Sequence, residues 1–147
     1  MTRDSPADLG TYALRGAIAA MAMTGMRVVT VGLDLLPKDP PEEIFEDALP
    51  HLLELVPREY REEAIELAHW GFGALGGATF ALLPAALRRH RWSGPAYGIG
   101  AWSFFESVLA PMLGLRKPSQ RPTSERVAII VDHVVYGLVV AGGPRRR

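Results

Sequence analysis

From Leu67 to Leu87 the chain reads "LAHWGFGALGGATFALLPAAL", twenty-one residues without a formal charge at neutral pH. A helix of about six turns in a water-soluble bundle must show solvent a polar stripe, and this stretch offers none. A bilayer crossing needs about 20 predominantly apolar residues. The run therefore demands a fold that hides it on every side, and lipid is the simplest way to do so.

Three further apolar segments accompany it. The four cover residues 11–36, 64–87, 95–115 and 127–143. The third carries one charge, Glu106, and the fourth one, Asp132; the first is interrupted by Arg15, Arg27 and Asp34 and is the weakest of the four. Glycine is frequent throughout, as in membrane helices, and Trp70 and Trp92 stand near opposite ends of the second segment, where interfacial anchors belong. The chain of 147 residues has room for one domain. The expected fold is all-α: a four-transmembrane-helix bundle spanning residues 1–147. The "AMA" at 20–22 has the shape of a signal cleavage site, but the apolar run before it is too short for one, so the first span is expected to be retained.

Between the first two spans lies an acidic stretch. Residues 37–63 hold nine acidic side chains, and within 41–56 apolar residues fall at 44, 45, 48, 49, 52, 53 and 56. That is helical spacing, interrupted at Pro50. The acidic polar face does not suit anionic lipid, so the additional amphipathic helix is expected to lie over one end of the bundle. Pro57 suits the first turn of the helix that becomes the second span.

Charge is balanced, sixteen basic against sixteen acidic, and cysteine is absent. Balance removes the electrostatic argument for nucleic acid. The missing cysteines remove disulfides and thiolate chemistry. Arginine supplies fourteen of the sixteen basic residues, which with the many Ala and Gly residues suggests a GC-rich bacterial genome and hence the cytoplasmic (inner) membrane. The side holding the termini and second loop carries eight Lys/Arg against seven, no decision by the positive-inside rule. The compact "RRHR" and "RRR" clusters favour both termini in the cytoplasm.

Five ionisable residues fall inside the apolar segments: Arg27, His69, Glu106, Asp132 and His133. Counted from the end of spans one and three and the start of spans two and four, they lie about 9–14 Å deep at 1.5 Å per residue. All five occupy one slab, whichever way the chain is inserted. They also share helix faces with small residues spaced four apart: His69 with Gly73 and Gly77, Glu106 with Gly98, His133 with Gly137. Small residues in that spacing let membrane helices approach closely, so the polar groups should point inward. Arg27 is expected to pair with Glu106, Asp132 or both, with the histidines completing the network. "His-x-x-aromatic-Gly" occurs twice, at 69–73 and 133–137, hinting at two helix pairs related about the membrane normal; aligning Gly16 with Gly98 would set Thr24 opposite Glu106.

The leading reading of this layer is structural: it fixes helix packing and helps assembly with other copies or a membrane-protein partner. A carboxylate–histidine layer also suits a proton- or ion-handling membrane protein. A third reading is haem or a divalent metal, held if at all by His69, His133 and Glu106. No catalytic motif supports an enzyme; the glycines of "GFGALGG" lie within a span, not between a strand and a helix, and adjacent Asp132 and His133 diverge on a helix. The aromatics of "WSFFE" at 102–106 read as packing and lipid contact.

The segments "GAIAAMAMTGM", "AHWGFGALGG", "PAYGIGAWSFFESVLAPMLGL" and "DHVVYGLVV" together resemble the YagU-like family of small uncharacterised bacterial inner-membrane proteins. The resemblance covers residues 16–36 and 64–143, leaves out 37–63, and carries over to His69, Gly73, Glu106, His133 and Gly137. It implies a membrane location and no particular activity or cofactor.

Overall fold

A computed structural model describes residues 6–33, 40–115 and 121–142. All its regular structure is helical. Helix α1 spans Pro6–Gly32. The acidic segment forms α2 (Pro40–Ala48) and α3 (Pro50–Glu54), with Pro50 starting the second piece rather than kinking a single helix. After Pro57 a short 3-10 turn, Arg58–Tyr60, leads into α4 (Arg61–Ala81). A brief α5 (Ala85–Arg88) precedes α6 (Ser93–Phe104), which runs through a π-helical turn, Phe105–Leu109, into α7 (Ala110–Met112). The last helix, α8 (Thr123–Ala141), ends at Gly142 in the left-handed conformation, φ 80°.

The second apolar segment is not one helix to residue 87. It stops at Ala81 because Pro84 disfavours helical backbone at the residue before it, and α5 begins only beyond that proline. The π turn has a similar cause. Pro111 has no N–H for Ser107 to accept, and its ring crowds that carbonyl. The helix absorbs this by widening one turn earlier, so that the Ala110 N–H bonds to the Phe105 carbonyl. Residues 34–36 of the first segment and the "RRR" terminus lie outside the described residues.

By length and composition, one helix among the described residues suffices to cross a bilayer, within Leu9–Gly32. This reverses the ranking from the sequence, where the first segment was weakest and four spans were expected. Helix α4 opens with Arg61, Glu62, Glu63 and Glu66, the π turn interrupts the third segment, and α8 takes in Glu125, Arg126 and Asp132.

The close helix pairs are α1 with α4, α6 with α8, and α1 with α8. The order around the bundle is therefore α4, α1, α8, α6. Side chains bridge the gap between α6 and α4: Tyr97 donates to the Gly76 carbonyl at 2.5 Å and meets Phe80 edge-on, centroids 4.9 Å apart. Tyr12, Phe80, Tyr136 and Val140 centre the core, and the guanidinium groups of Arg15 and Arg88 lie 5.3 and 5.4 Å from the Tyr12 ring centroid.

Glycines make the two tightest crossings. A Cβ on Gly16 would strike the Gly73 carbonyl and the Gly77 backbone; one on Gly98 would strike the His133 carbonyl, and one on Gly137 the Gly94 carbonyl. With His69–Gly73 laid on His133–Gly137, Gly16 corresponds to Gly94 and Ala20 to Gly98. The internal repeat is thus one helical turn away from the Gly16–Gly98 alignment. It pairs Val28, not Thr24, with Glu106: the crossings repeat and the charges do not.

Candidate functional site

The charged residues gather at the end of the bundle where α1 and α7 finish and α4 and α8 begin. Arg27, 3 % exposed, sits at the centre of the first group. Its Nη2 donates to Thr24 Oγ1 at 2.8 Å and to Glu66 at 3.2 Å, and reaches His69 Nδ1 at 3.4 Å. The Thr24 hydroxyl donates to the other Glu66 oxygen at 2.7 Å and accepts from the Trp70 indole at 3.3 Å. Trp70 is therefore tied into the network between α1 and α4.

Arg27 is bonded to the Glu66 carboxylate, a partner that the sequence reading, which named Glu106 and Asp132, did not include. The signal was present in the sequence: Glu66 precedes His69, Gly73 and Gly77 on one helical stripe. It lies one residue before the uncharged run and reads there as a flank, but α4 starts five residues earlier and carries it to the α1 interface.

A second group forms where α2 folds over this end. Arg121 donates to Glu43 at 2.8 Å, an ion pair about 12 % exposed on both sides, and lies 3.8 Å from Glu125 one turn along. Neither Glu43 nor Arg121 stands out in the sequence, because both lie in connecting segments. The acidic segment does cover the bundle end, through this pair and through Pro41 and Ile44.

Between these groups lies a cavity of about 770 Å³. Arg27, His69, Glu106, Asp132 and His133 all line it, as does Arg121. Its wall continues from Glu106 in the π turn back along α6 to Ser93, and along α4 and beyond its end to Leu83, so it extends about 20 Å beside the gap between these helices. Phe72 and Phe104 line it while remaining more than half exposed, which places its mouth on the outer surface. Gly73, a packing residue of the α1–α4 crossing, also forms part of its wall; Gly77, Gly98 and Gly137 are buried at helix crossings.

The hydrogen bonds assign the two histidines opposite tautomers. His133 Nδ1 lies 2.8 Å from the Ile129 carbonyl. A carbonyl only accepts, so Nδ1 carries the proton and Nε2 keeps its lone pair in the neutral ring. His69 Nδ1 faces an Arg27 nitrogen, which only donates; the Glu66 carboxylate, at 4.0 Å, is too far to accept. In the neutral ring, His69 Nε2 therefore carries the proton. Nε2 is thus a donor in His69 and an acceptor in His133, and both residues line the same cavity.

Glu106 differs from the other carboxylates here. Among the described residues no hydrogen bond or ion pair holds it. The two arginines that share its cavity wall, Arg27 and Arg121, are bonded to Glu66 and Glu43. It lies in the π turn and lines the wall, and such turns recur at functional sites. No group of three or more His, Asp or Glu side chains suited to a metal ion occurs among the described residues, the set His69, His133 and Glu106 included. Comparison with protein-family models, curated proteins and solved structures finds no match.

Proposed function

We propose that this chain is a four-span integral membrane protein that binds a small amphipathic molecule in the cavity beside α4 and α6. One observation carries the reading: charges are buried while large apolar side chains face outward. Arg27, Glu125 and Asp132 are buried, whereas Leu14, Val28, Leu75, Phe104 and Leu138 are exposed. Water penalises such an arrangement, and lipid favours it. Side-chain bridges and close glycine crossings are the packing that lipid-embedded helices use. Helices α4, α6–α7 and α8 are the spans proposed beyond α1, and kinship to the YagU-like proteins belongs to the same proposal.

The polar layer then divides into two parts. Arg27, Thr24, Glu66 and Trp70 join α1 to α4 and hold the bundle together. Glu106 and the two histidines face a cavity whose volume falls in the usual range for small-molecule sites, which occur between helices of bundles. The opposed tautomers also favour a second reading, passage of a proton between the rings by way of a bound hydroxyl group or water. Proton flux into liposomes, with wild type against Glu106→Gln, tests it; no difference from empty liposomes ends it.

The topology has a direct test, because the chain contains no cysteine. An impermeant maleimide should label His51→Cys and Thr123→Cys on intact cells, and His90→Cys only after permeabilisation. Equal labelling at all three positions, or release of the protein by alkaline carbonate, overturns the membrane reading.

A further inference from the structure

We infer that the cavity takes a lipophilic organic cation, an ammonium or phosphonium centre bearing apolar groups, with Glu106 as its counter-ion. This rests on the proposal that the cavity binds a small molecule and adds the charge and class of that molecule.

The argument begins with the charges around the cavity. Arg27 is bonded to Glu66 and Arg121 to Glu43. Both cations in the wall therefore have carboxylates of their own, and neither Glu66 nor Glu43 belongs to the wall. Glu106 is half-buried in that wall, and no described side chain bonds to it. An anionic head would meet this carboxylate and would have to draw an arginine from an existing pair. A cationic head meets a carboxylate that has no pair to break.

The apolar wall supports the same class. Phe72, Trp92, Tyr97, Phe104, Phe105 and Tyr136 line the cavity. Aromatic faces attract a cation through their quadrupole, most strongly where water is excluded, and aromatic cages are how proteins recognise quaternary ammonium groups. Tyr97 and Tyr136 have their hydroxyls committed to the Gly76 and Gly73 carbonyls at 2.5 and 2.7 Å, which fixes their rings. A neutral amphipath would use the aromatic surface but offer the half-buried carboxylate no counter-charge. The mouth between Phe72 and Phe104 opens where a membrane-dissolved molecule would arrive.

Tetraphenylphosphonium and tetraphenylborate have nearly the same size and shape and opposite charge, so they separate charge from shape. Calorimetry on the full-length protein in a maltoside detergent should show saturable binding of the phosphonium and none of the borate. Glu106→Gln should weaken phosphonium binding by about tenfold or more, and Glu106→Asp should retain part of it. Gly100→Phe, placed where a side chain finds open space in the wall, should block binding while leaving the helical circular dichroism unchanged. Equal binding of both ions, or full binding by folded Glu106→Gln, overturns the cation assignment and leaves the cavity reading standing. No binding of either ion by folded wild type overturns both.

Discussion

The Arg27 guanidinium lies 3.2 Å from the Glu66 carboxylate and joins the last turns of α1 to the first turns of α4. Removing the arginine takes the counter-charge and a hydrogen bond from Glu66, and breaking a buried pair typically costs about 3–5 kcal/mol. Arg27→Ala should therefore lower the unfolding midpoint in detergent markedly, and Glu66→Gln less, since an amide still accepts from Arg27. Arg27→Met combined with Glu66→Gln should recover part of the loss. A midpoint for Arg27→Ala equal to wild type would show that the pair does not hold the bundle.

The glycines divide into two groups with opposite expectations. Gly16→Ala and Gly98→Ala drive a methyl group into backbone of the facing helix, which cannot rotate aside, so each should cost at least about 1–3 kcal/mol by overpacking. Gly25→Ala and Gly100→Ala meet open space and should be neutral or gain up to about 1 kcal/mol from helix propensity. Thermal unfolding of the four variants in one detergent separates the groups. Uniform behaviour would mean that the α1–α4 and α6–α8 crossings are not this close.

Much of this arrangement is legible in the sequence, for identifiable reasons. Helical rise alone puts Arg27, His69, Glu106, Asp132 and His133 at similar depth, and all five do line one cavity. Spacing by four marks Gly73, Gly77, Gly98 and Gly137 as contact residues. Which helices are neighbours is not a property of periodicity, so the ring order α4, α1, α8, α6 and the gap beside α6 could not be read. Glu66 was not foreseen as a partner of Arg27 because a count of uncharged residues ends a span at its last charge, whereas a helix buries any charge that its stripe turns inward. The π turn depends on how the helix accommodates Pro111, which periodicity does not report.

Tyr97 and Tyr136 donate to carbonyls of α4 that lie in its interior. Each hydroxyl ties a neighbouring helix to α4 without breaking its ladder, because a carbonyl oxygen has two lone pairs. Tyr97→Phe and Tyr136→Phe should each cost about 1 kcal/mol. The fall for Tyr97→Phe should come with a wider α4–α6 gap, measured as a longer distance between spin labels on Thr79→Cys and Ala96→Cys. An unchanged distance would mean that the Phe80–Tyr97 ring contact alone spans the gap.

The opposed histidine tautomers lead to a spectroscopic prediction that does not depend on the ligand. Nitrogen-15 spectra of the protein labelled at histidine should show two rings that differ from the exposed His51 and His90. One should be protonated at Nδ1 and the other at Nε2. His133→Ala should remove the Nδ1-protonated signal, and His69→Ala the Nε2-protonated one. Arg27→Lys provides a second check, since a shorter ammonium that no longer reaches His69 Nδ1 frees that ring to exchange tautomers while His133 stays locked by the Ile129 carbonyl. Identical tautomers for the two rings, or a His133 ring that changes with Arg27, would mean that the two cavity-lining rings do not differ as donor and acceptor, and the proton-passage reading would lose the geometry on which it rests.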